Sequence, residues 1–133
     1  MIRIAMIAAV LTGSLGAAGQ SRVEERQAAE LAKSLEGLSA GKPTSCINPD
    51  QVTYTRKYKD TIVYVQGRSK LWVNRTNAGC DGLIRDDIIV WKSPIHQYCK
   101  GDMIQTRSRS GGFFTGACSL GEFVPYTKEK GRN

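Results

Sequence analysis

The chain has 133 residues, of which 41% are hydrophobic, and it carries 19 lysine and arginine against 12 aspartate and glutamate side chains. This length fits one domain. Aromatic and β-branched residues recur through the second half, which excludes collagen-like, coiled-coil and disordered chains. After the first twenty residues, no apolar stretch is long enough to cross the roughly 30 Å hydrocarbon core of a bilayer. The composition is that of a small, basic, globular domain.

The first nineteen residues have the pattern of a secretory signal peptide. Arg3 precedes an apolar run over 4–11, and small residues follow through Gly19. We expect 1–19 to be cleaved near residues 18–20, which would leave a periplasmic or secreted chain with no transmembrane segment. That chain has 18 basic against 12 acidic side chains, a formal charge of +6. The alternative is an uncleaved N-terminal anchor, which the glycines of this stretch disfavour.

The four cysteines, Cys46, Cys80, Cys99 and Cys118, predict two disulfides. They are even in number in a short exported chain, and none lies in the Cys-x-x-Cys spacing that zinc sites usually have. Cys99 and Cys118 flank a candidate hairpin almost symmetrically. This favours their pairing with each other and leaves Cys46 with Cys80, while the other two connectivities remain open.

A helix is predicted over 20–41. The sequence Ser21-Arg22-Val23-Glu24 has the capping-box pattern, and Gly37 and Gly41 are typical of a helix end. The apolar face is predicted to consist of Ala28, Leu31, Ala32, Leu35 and Leu38. Its opposite face mixes charges of both signs, which disfavours a membrane-surface helix. We expect this amphipathic helix to cover part of a β sheet.

The remainder is predicted to be a β domain over 42–127, followed by a basic tail over 128–133. Short β-rich runs alternate with turn residues, and connections this short imply antiparallel neighbours. The fold class is therefore mainly β, a small antiparallel meander or barrel-like sheet of about six strands with one N-terminal helix and disulfide staples. The predicted strands are 52–57, 61–66, 70–75, 88–92, 102–107, 112–117 and, as a seventh candidate, 122–126.

No catalytic or metal-binding pattern is recognisable. His96 is the only histidine, and no nucleophile with an orienting carboxylate surrounds it. A metal site would recruit His96 with Asp81, Asp86 and Asp87, but two of these aspartates are adjacent and point apart in an extended chain. We expect no catalytic residue, metal or cofactor. The alternative is a small periplasmic hydrolase that uses His96 with an acid such as Asp102.

One segment interleaves aromatic and basic side chains along a predicted strand and the turn after it. Rings beside cations can stack on sugars while the cations hold an anionic partner. The candidate binding surface comprises Tyr54, Arg56, Lys57, Tyr58, Lys59, Tyr64 and Trp72. The alternative interpretation is a solvated edge strand, because lysines protect strand edges from aggregation.

The functional hypothesis is a noncatalytic binding or structural module at the cell envelope, for an anionic polymer or glycan. We expect no specific nucleic-acid partner. A second alternative, besides the hydrolase, is a subunit that docks another envelope protein through its exposed aromatic side chains. A positive formal charge attracts anionic polymers in either case, although only nonspecifically.

Four stretches in this order resemble a family of small exported bacterial proteins that contain a domain of unknown function. The stretches are 38–43 leading into Cys46-Ile47, 72–75, 98–102 and 121–126. The resemblance covers roughly residues 24–126, and it implies a Gram-negative envelope setting and a shared cysteine framework. It implies no activity, ligand or catalytic residue.

Overall fold

The structure is a computed structural model that describes residues 18–128. Most of the predicted signal peptide, and the tail beyond Lys128, lie outside these residues. The described chain is mainly β, as predicted, with one helix on the N-terminal side. The helix α1 spans Ala18–Ser34, and the strands are β1 (Leu38–Ala40), β2 (Cys46–Ile47), β3 (Tyr54–Tyr58), β4 (Thr61–Gln66), β5 (Lys70–Arg75), β6 (Ile88–Trp91), β7 (Tyr98–Cys99), β8 (Met103–Arg107), β9 (Phe114–Ser119) and β10 (Phe123–Lys128).

Five strands form an antiparallel sheet, the large sheet, in the order β1-β10-β5-β4-β3. Tight turns join β3 to β4 and β4 to β5, where Asp60 and Gly67 adopt positive φ angles of 52° and 61°. The chain returns through β10, which pairs with β5 so that Phe123 lies opposite Asn74. The strand β3 is therefore an edge strand of this sheet.

The other strands form two smaller antiparallel sheets. The small sheet has the order β6-β8-β9, and a two-stranded ribbon joins β2 to β7. The described residues thus hold ten strands, where about six were predicted. The additional strands β1, β2 and β7 have two or three residues, which is too short for an alternating pattern to be visible in the sequence.

The large sheet is covered on both faces, which gives the molecule three layers. Strand alternation sends Val63 and Val65 to one face and Ile62 and Tyr64 to the other. The first face, the helix face, is a cluster under α1 formed by Tyr58, Val63, Val65 and Val73 with Leu31 and Leu35. The second face, the inner face, packs on the small sheet through Ile62, Tyr64, Leu83, Ile104 and Phe123. The predicted packing of the helix on a sheet is confirmed.

The ends of α1 differ from the prediction. Ser21 lies inside α1, three residues after Ala18, and not at its first residue as the capping-box pattern predicts. Instead of completing a capping box, Glu24 accepts a hydrogen bond from the Lys59 ammonium at 2.6 Å. The helix ends at Ser34, before the predicted Gly37, which has a φ of 74°. Leu38 belongs to β1, so the predicted helix over 20–41 is too long by several residues. Among residues 18–128, no helix is long and apolar enough to cross a membrane.

The two predicted disulfides are present, but the favoured pairing is wrong. The bonds join Cys46 to Cys99 and Cys80 to Cys118. Cys46 and Cys99 lie directly opposite each other in the β2–β7 ribbon. The hairpin of β8 and β9 pairs Cys118 with Ile104, so the hairpin does not extend to Cys99. The loop that contains Cys80 folds back onto β9, where its Gly79 carbonyl accepts the Ala117 amide at 3.0 Å.

Candidate functional site: a basic groove beside the edge strand

The predicted binding surface is not one surface, because β3 alternates between two faces. Tyr54 and Arg56 lie on the helix face, and Lys57 lies on the inner face. Tyr54 is 47% exposed. The structure brings together only Tyr54 and Arg56, and the other five predicted residues serve the fold in the ways described next.

Lys57 has a structural role, because it bonds the edge strand to Asp86 and Asp87. Its ammonium lies 2.8 Å from the Asp86 carboxylate and also donates to the Asp87 carbonyl at 2.9 Å. Its side chain is only 8% exposed. Hydrogen bonding from Lys57, followed by its charge and that of Arg109, lowers the pKa of Asp86. These contacts tie the edge strand to the short helical turn of Asp81–Arg85.

Lys59 and Tyr58 attach the edge strand to α1. The ammonium of Lys59 pairs with Glu24, and its backbone amide donates to the Gln27 side chain at 2.7 Å. Hydrogen bonding to Glu24 raises the pKa of Lys59. Tyr58 is buried in the cluster of the helix face. Both residues are therefore engaged within the fold.

Tyr64 and Trp72 belong to the interior between the two larger sheets. Tyr64 is 3% exposed, and its ring lies 5.4 Å from that of Tyr98. Burial raises the pKa of Tyr64 well above its ordinary value. Trp72 is half-buried and donates from Nε1 to Gln66 Oε1 at 2.8 Å. Tyr64 also lines a cleft of about 300 Å³ that Trp91 and Tyr98 share.

The described residues form a larger concavity, the basic groove, at the helix face. It has a volume of about 720 Å³ and lies between the end of α1, β1 and the β3–β4–β5 hairpins. Leu38, Val65 and Leu71 contribute apolar lining, and Tyr54 stands at the edge-strand side. This volume is within the range of small-molecule binding sites, roughly 300–1,000 Å³.

The charged side chains that line the groove are mainly cationic. Arg56, Arg68 and Lys128 contribute to it, whereas Glu36 is its one acidic residue among the described lining. Lys70 also borders the groove, but its ammonium lies 4.3 Å from the ring centroid of Trp72. The groove therefore combines an apolar floor, one aromatic ring and an excess of positive charge.

Arg68 was not predicted to be a site residue, and Lys128 was predicted only as part of the basic tail. Arg68 lies in the turn between β4 and β5, and Lys128 lies opposite Leu38 at the end of β10. The missing signal was the pairing of β1 with β10, which brings residues far apart in the chain to one side of the sheet. A strand of three residues does not reveal this pairing.

His96 and Asp102 do not meet. His96 Nε2 lies 2.8 Å from Asp50 Oδ1, and both side chains are about 70% exposed, at 69% and 72%. Asp102 accepts hydrogen bonds from the Cys99 amide at 3.0 Å and from Trp91 Nε1 at 3.1 Å. It therefore fixes the turn after β7, and the acid that lies beside His96 is Asp50 rather than the suggested Asp102.

The part of the chain that the structure describes contains no group of three or more histidine, cysteine, aspartate or glutamate side chains placed to hold a metal ion. Asp86 and Asp87 are engaged with Lys57 and Arg85 instead.

Compared with known proteins, the chain matches no family model, no curated protein and no solved structure. The resemblance drawn from the four sequence stretches thus stays a prediction.

Proposed function

We propose that this is a noncatalytic envelope protein that binds an anionic polysaccharide in the basic groove. The observation that carries the proposal is the coincidence of Arg56, Arg68 and Lys128 in one concavity of about 720 Å³, beside the exposed ring of Tyr54. Guanidinium groups bind carboxylates and phosphates in two-point geometry, which a flexible lysine does less well.

The apolar floor supports a carbohydrate rather than a bare ion. Sugar rings present patches of C–H groups that pack on aromatic and aliphatic side chains, while their acidic substituents face cations. Tyr54 stands beside Leu71 and Val65 in the groove. A short segment of an acidic glycan would therefore find both kinds of contact within one cavity.

Among the described residues, His96 and Asp102, the pair suggested for a hydrolase, have different partners. A general base needs a partner that orients it and a reacting group within hydrogen-bond reach. His96 and Asp50 form an exposed surface pair instead, and Asp102 is engaged in a turn. We propose no reaction for this protein.

An oxidising compartment is the proposed location. The signal-peptide pattern of 1–19 and the two disulfides both support export to the periplasm or the medium. In that compartment, acidic polysaccharides and lipid-linked glycans are accessible to a basic protein. The resemblance to small exported Gram-negative proteins agrees with this location.

The test compares two triple variants that lose the same charge. The groove variant carries Arg56→Gln, Arg68→Gln and Lys128→Gln. The matched control carries Arg22→Gln, Arg26→Gln and Lys92→Gln, which also removes two arginines and one lysine, all outside the groove lining. Binding to polygalacturonate, with neutral dextran as the comparison ligand, is measured by titration calorimetry at two salt concentrations.

The groove variant is expected to bind polygalacturonate at least about tenfold more weakly, because hydrogen bonds to charged groups contribute roughly 1.5–3 kcal/mol each. The control is expected to lose only the small, salt-dependent share that comes from net charge. Equal losses in the two variants would reduce the interaction to nonspecific attraction and contradict the proposal.

A further inference from the structure

The hairpin between β8 and β9 exposes two adjacent aromatic side chains at its tip. Phe113 is 71% exposed and Phe114 is 58% exposed. The preceding Gly111 and Gly112 adopt φ angles of 88° and 70°, which glycine reaches without strain. The turn therefore leaves both rings largely in solvent.

A further apolar side chain adjoins the tip. Ile88, Arg107 and Phe114 are successive partners across β6, β8 and β9, and Ile88 is 45% exposed. Exposed apolar side chains that form a contiguous patch mark an interaction site, whereas single ones are ordinary on a protein surface.

The charge of the hairpin has a single sign. The segment 103–121 contains Arg107 and Arg109 and no acidic residue. Arg109 is partly engaged, because it donates to the Asp86 carboxylate at 3.1 Å. Arg107 makes only long hydrogen bonds of 3.3 Å, to the Gly112 carbonyl and to Gln105 Oε1. Arg107 is thus available to an anionic partner.

We propose that this tip, defined by Phe113, Phe114 and Arg107, anchors the protein on the surface of an anionic phospholipid bilayer. The phenylalanine rings would enter the boundary between head groups and acyl chains, and the arginine would contact lipid phosphates. Two chemistries meet in that layer, apolar acyl chains and anionic head groups, and the tip carries side chains that suit each of them.

The size of the tip favours a lipid surface over a protein partner. A stable protein interface buries roughly 800 Å² on each side and places its aromatic anchors at the centre of a broad, closely packed patch. Here the two most exposed rings belong to neighbouring residues, Phe113 at the end of the turn Ser108–Phe113 and Phe114 directly after it. Two neighbouring rings can enter a deformable lipid layer without a complementary pocket.

This inference is independent of the basic groove. The groove lining comes from α1, β1, β10 and the β3–β4–β5 hairpins, whereas the tip belongs to the β8–β9 hairpin. A membrane anchor would keep the protein at the envelope surface where acidic glycans are held. Each proposal can fail without the other.

The test is co-sedimentation with vesicles of phosphatidylglycerol and phosphatidylethanolamine, compared with vesicles of phosphatidylcholine. The tip variant carries Phe113→Ser and Phe114→Ser. Its matched control carries Val23→Ser and Ile95→Ser, which removes two exposed apolar side chains elsewhere. A further pair compares Arg107→Gln with Arg22→Gln, two exposed arginines. Thermal melting of each variant verifies folding.

Wild-type protein and the control are expected to bind the phosphatidylglycerol vesicles, while the tip variant loses about tenfold or more in partition coefficient, as expected when two aromatic side chains no longer leave water. Arg107→Gln is expected to lose roughly fivefold on these vesicles, and less on phosphatidylcholine. When the phenylalanine substitutions are made in the groove variant, they should reduce vesicle binding by the same factor as in the wild-type protein.

Equal binding by the wild type and the tip variant, or no binding by either, would overturn the inference. Concentration-dependent self-association that the phenylalanine substitutions abolish, without vesicle binding, would also overturn it and assign the tip to a protein interface.

Discussion

The guanidinium of Arg56 lies over the ring of Tyr54, with its carbon 5.3 Å from the ring centroid, and its Nη2 donates to the Tyr54 hydroxyl at 2.8 Å. Two contacts to one neighbour fix the direction of a side chain that otherwise has many rotamers. This relationship orients one cation of the basic groove, so less conformational entropy would be lost on binding of the proposed glycan.

Removing the Tyr54 hydroxyl is expected to weaken ligand binding without destabilising the fold. In Tyr54→Phe the ring remains under Arg56, but the acceptor is lost. We expect the affinity for polygalacturonate to fall roughly threefold to tenfold, in line with about 1 kcal/mol for one hydrogen bond. Titration calorimetry measures the affinity, and urea unfolding should give an unchanged free energy. An unchanged affinity would show that Arg56 needs no orientation by Tyr54.

Lys57 is expected to matter for stability and not for binding. Lys57→Met removes an ammonium that is bonded to both Asp86 and Asp87, and we expect a loss of about 1–3 kcal/mol in the free energy of unfolding. The matched control is Lys100→Met, because Lys100 forms an ion pair with Glu122 in which both partners are half exposed. Such surface pairs contribute about 0–1 kcal/mol. Comparable losses in the free energy of unfolding of the two variants would contradict this stabilising role of Lys57.

The same substitution is expected to raise the pKa of Asp86 toward its ordinary value. Lys57 is the main cause of the lowered pKa, so the native state binds the Asp86 proton less tightly than the unfolded chain does. The stabilising contribution is therefore complete above the ordinary pKa of 3.8 and is lost as the pH falls below it. Carboxyl NMR titration of the wild type and Lys57→Met measures this shift, and identical Asp86 titration curves would refute the coupling.

The buried tyrosines predict a loss of stability in alkali. Burial raises the pKa of Tyr64 and of Tyr98 above the ordinary value of 10.0. The native state thus holds these protons more tightly, so the contribution of the two tyrosines to stability is constant below about pH 10 and declines as the pH rises further. In Tyr64→Phe the decline should be shallower. Urea unfolding across alkaline pH measures it, and a Tyr64 that titrates near its ordinary pKa in the folded protein would contradict the burial.

The two disulfides are expected to differ in the cost of their removal. Chain entropy alone gives about 4 kcal/mol for each, because the separations of 53 and 38 residues are similar. Cys80 and Cys118 are 1% and 2% exposed and belong to the inner core, whereas Cys46 and Cys99 are half-buried. Replacing Cys80 and Cys118 by serine should therefore cost more, since it also places hydroxyls in the core. Denaturant unfolding of the two double variants decides this, and a larger loss for Cys46 and Cys99 would contradict it.

The sequence predicted the elements that have a clear local pattern. The strands β4 and β5 match the predicted bounds in full, and β3, β6, β8, β9 and β10 match within a few residues. Their alternation and turn residues are local signals. The helix was predicted too far toward Leu38, because Leu38 continues the apolar spacing of α1 although it pairs with Lys128 in β1.

The disulfide pairing and the site depended on contacts that no local pattern encodes. Symmetry about a hairpin suggested Cys99 with Cys118, yet the turn fixed by Asp102 ends β7 before that hairpin begins. The aromatic and basic run along β3 was visible, but whether each side chain is free depends on what packs against it. Lys57 and Lys59 are engaged by segments distant in sequence, which left Tyr54 and Arg56 for the groove.

Amide chemical-shift mapping with an acidic oligosaccharide tests the central proposal most directly. Titration of the isotope-labelled protein with short polygalacturonate is predicted to shift the amides around Arg56, Arg68 and Leu71 at the lowest ligand concentrations, with the rest of the large sheet unaffected. Shifts that instead spread over all exposed lysines and arginines, or that gather at the exposed pair of His96 and Asp50, would contradict a groove built for an anionic glycan.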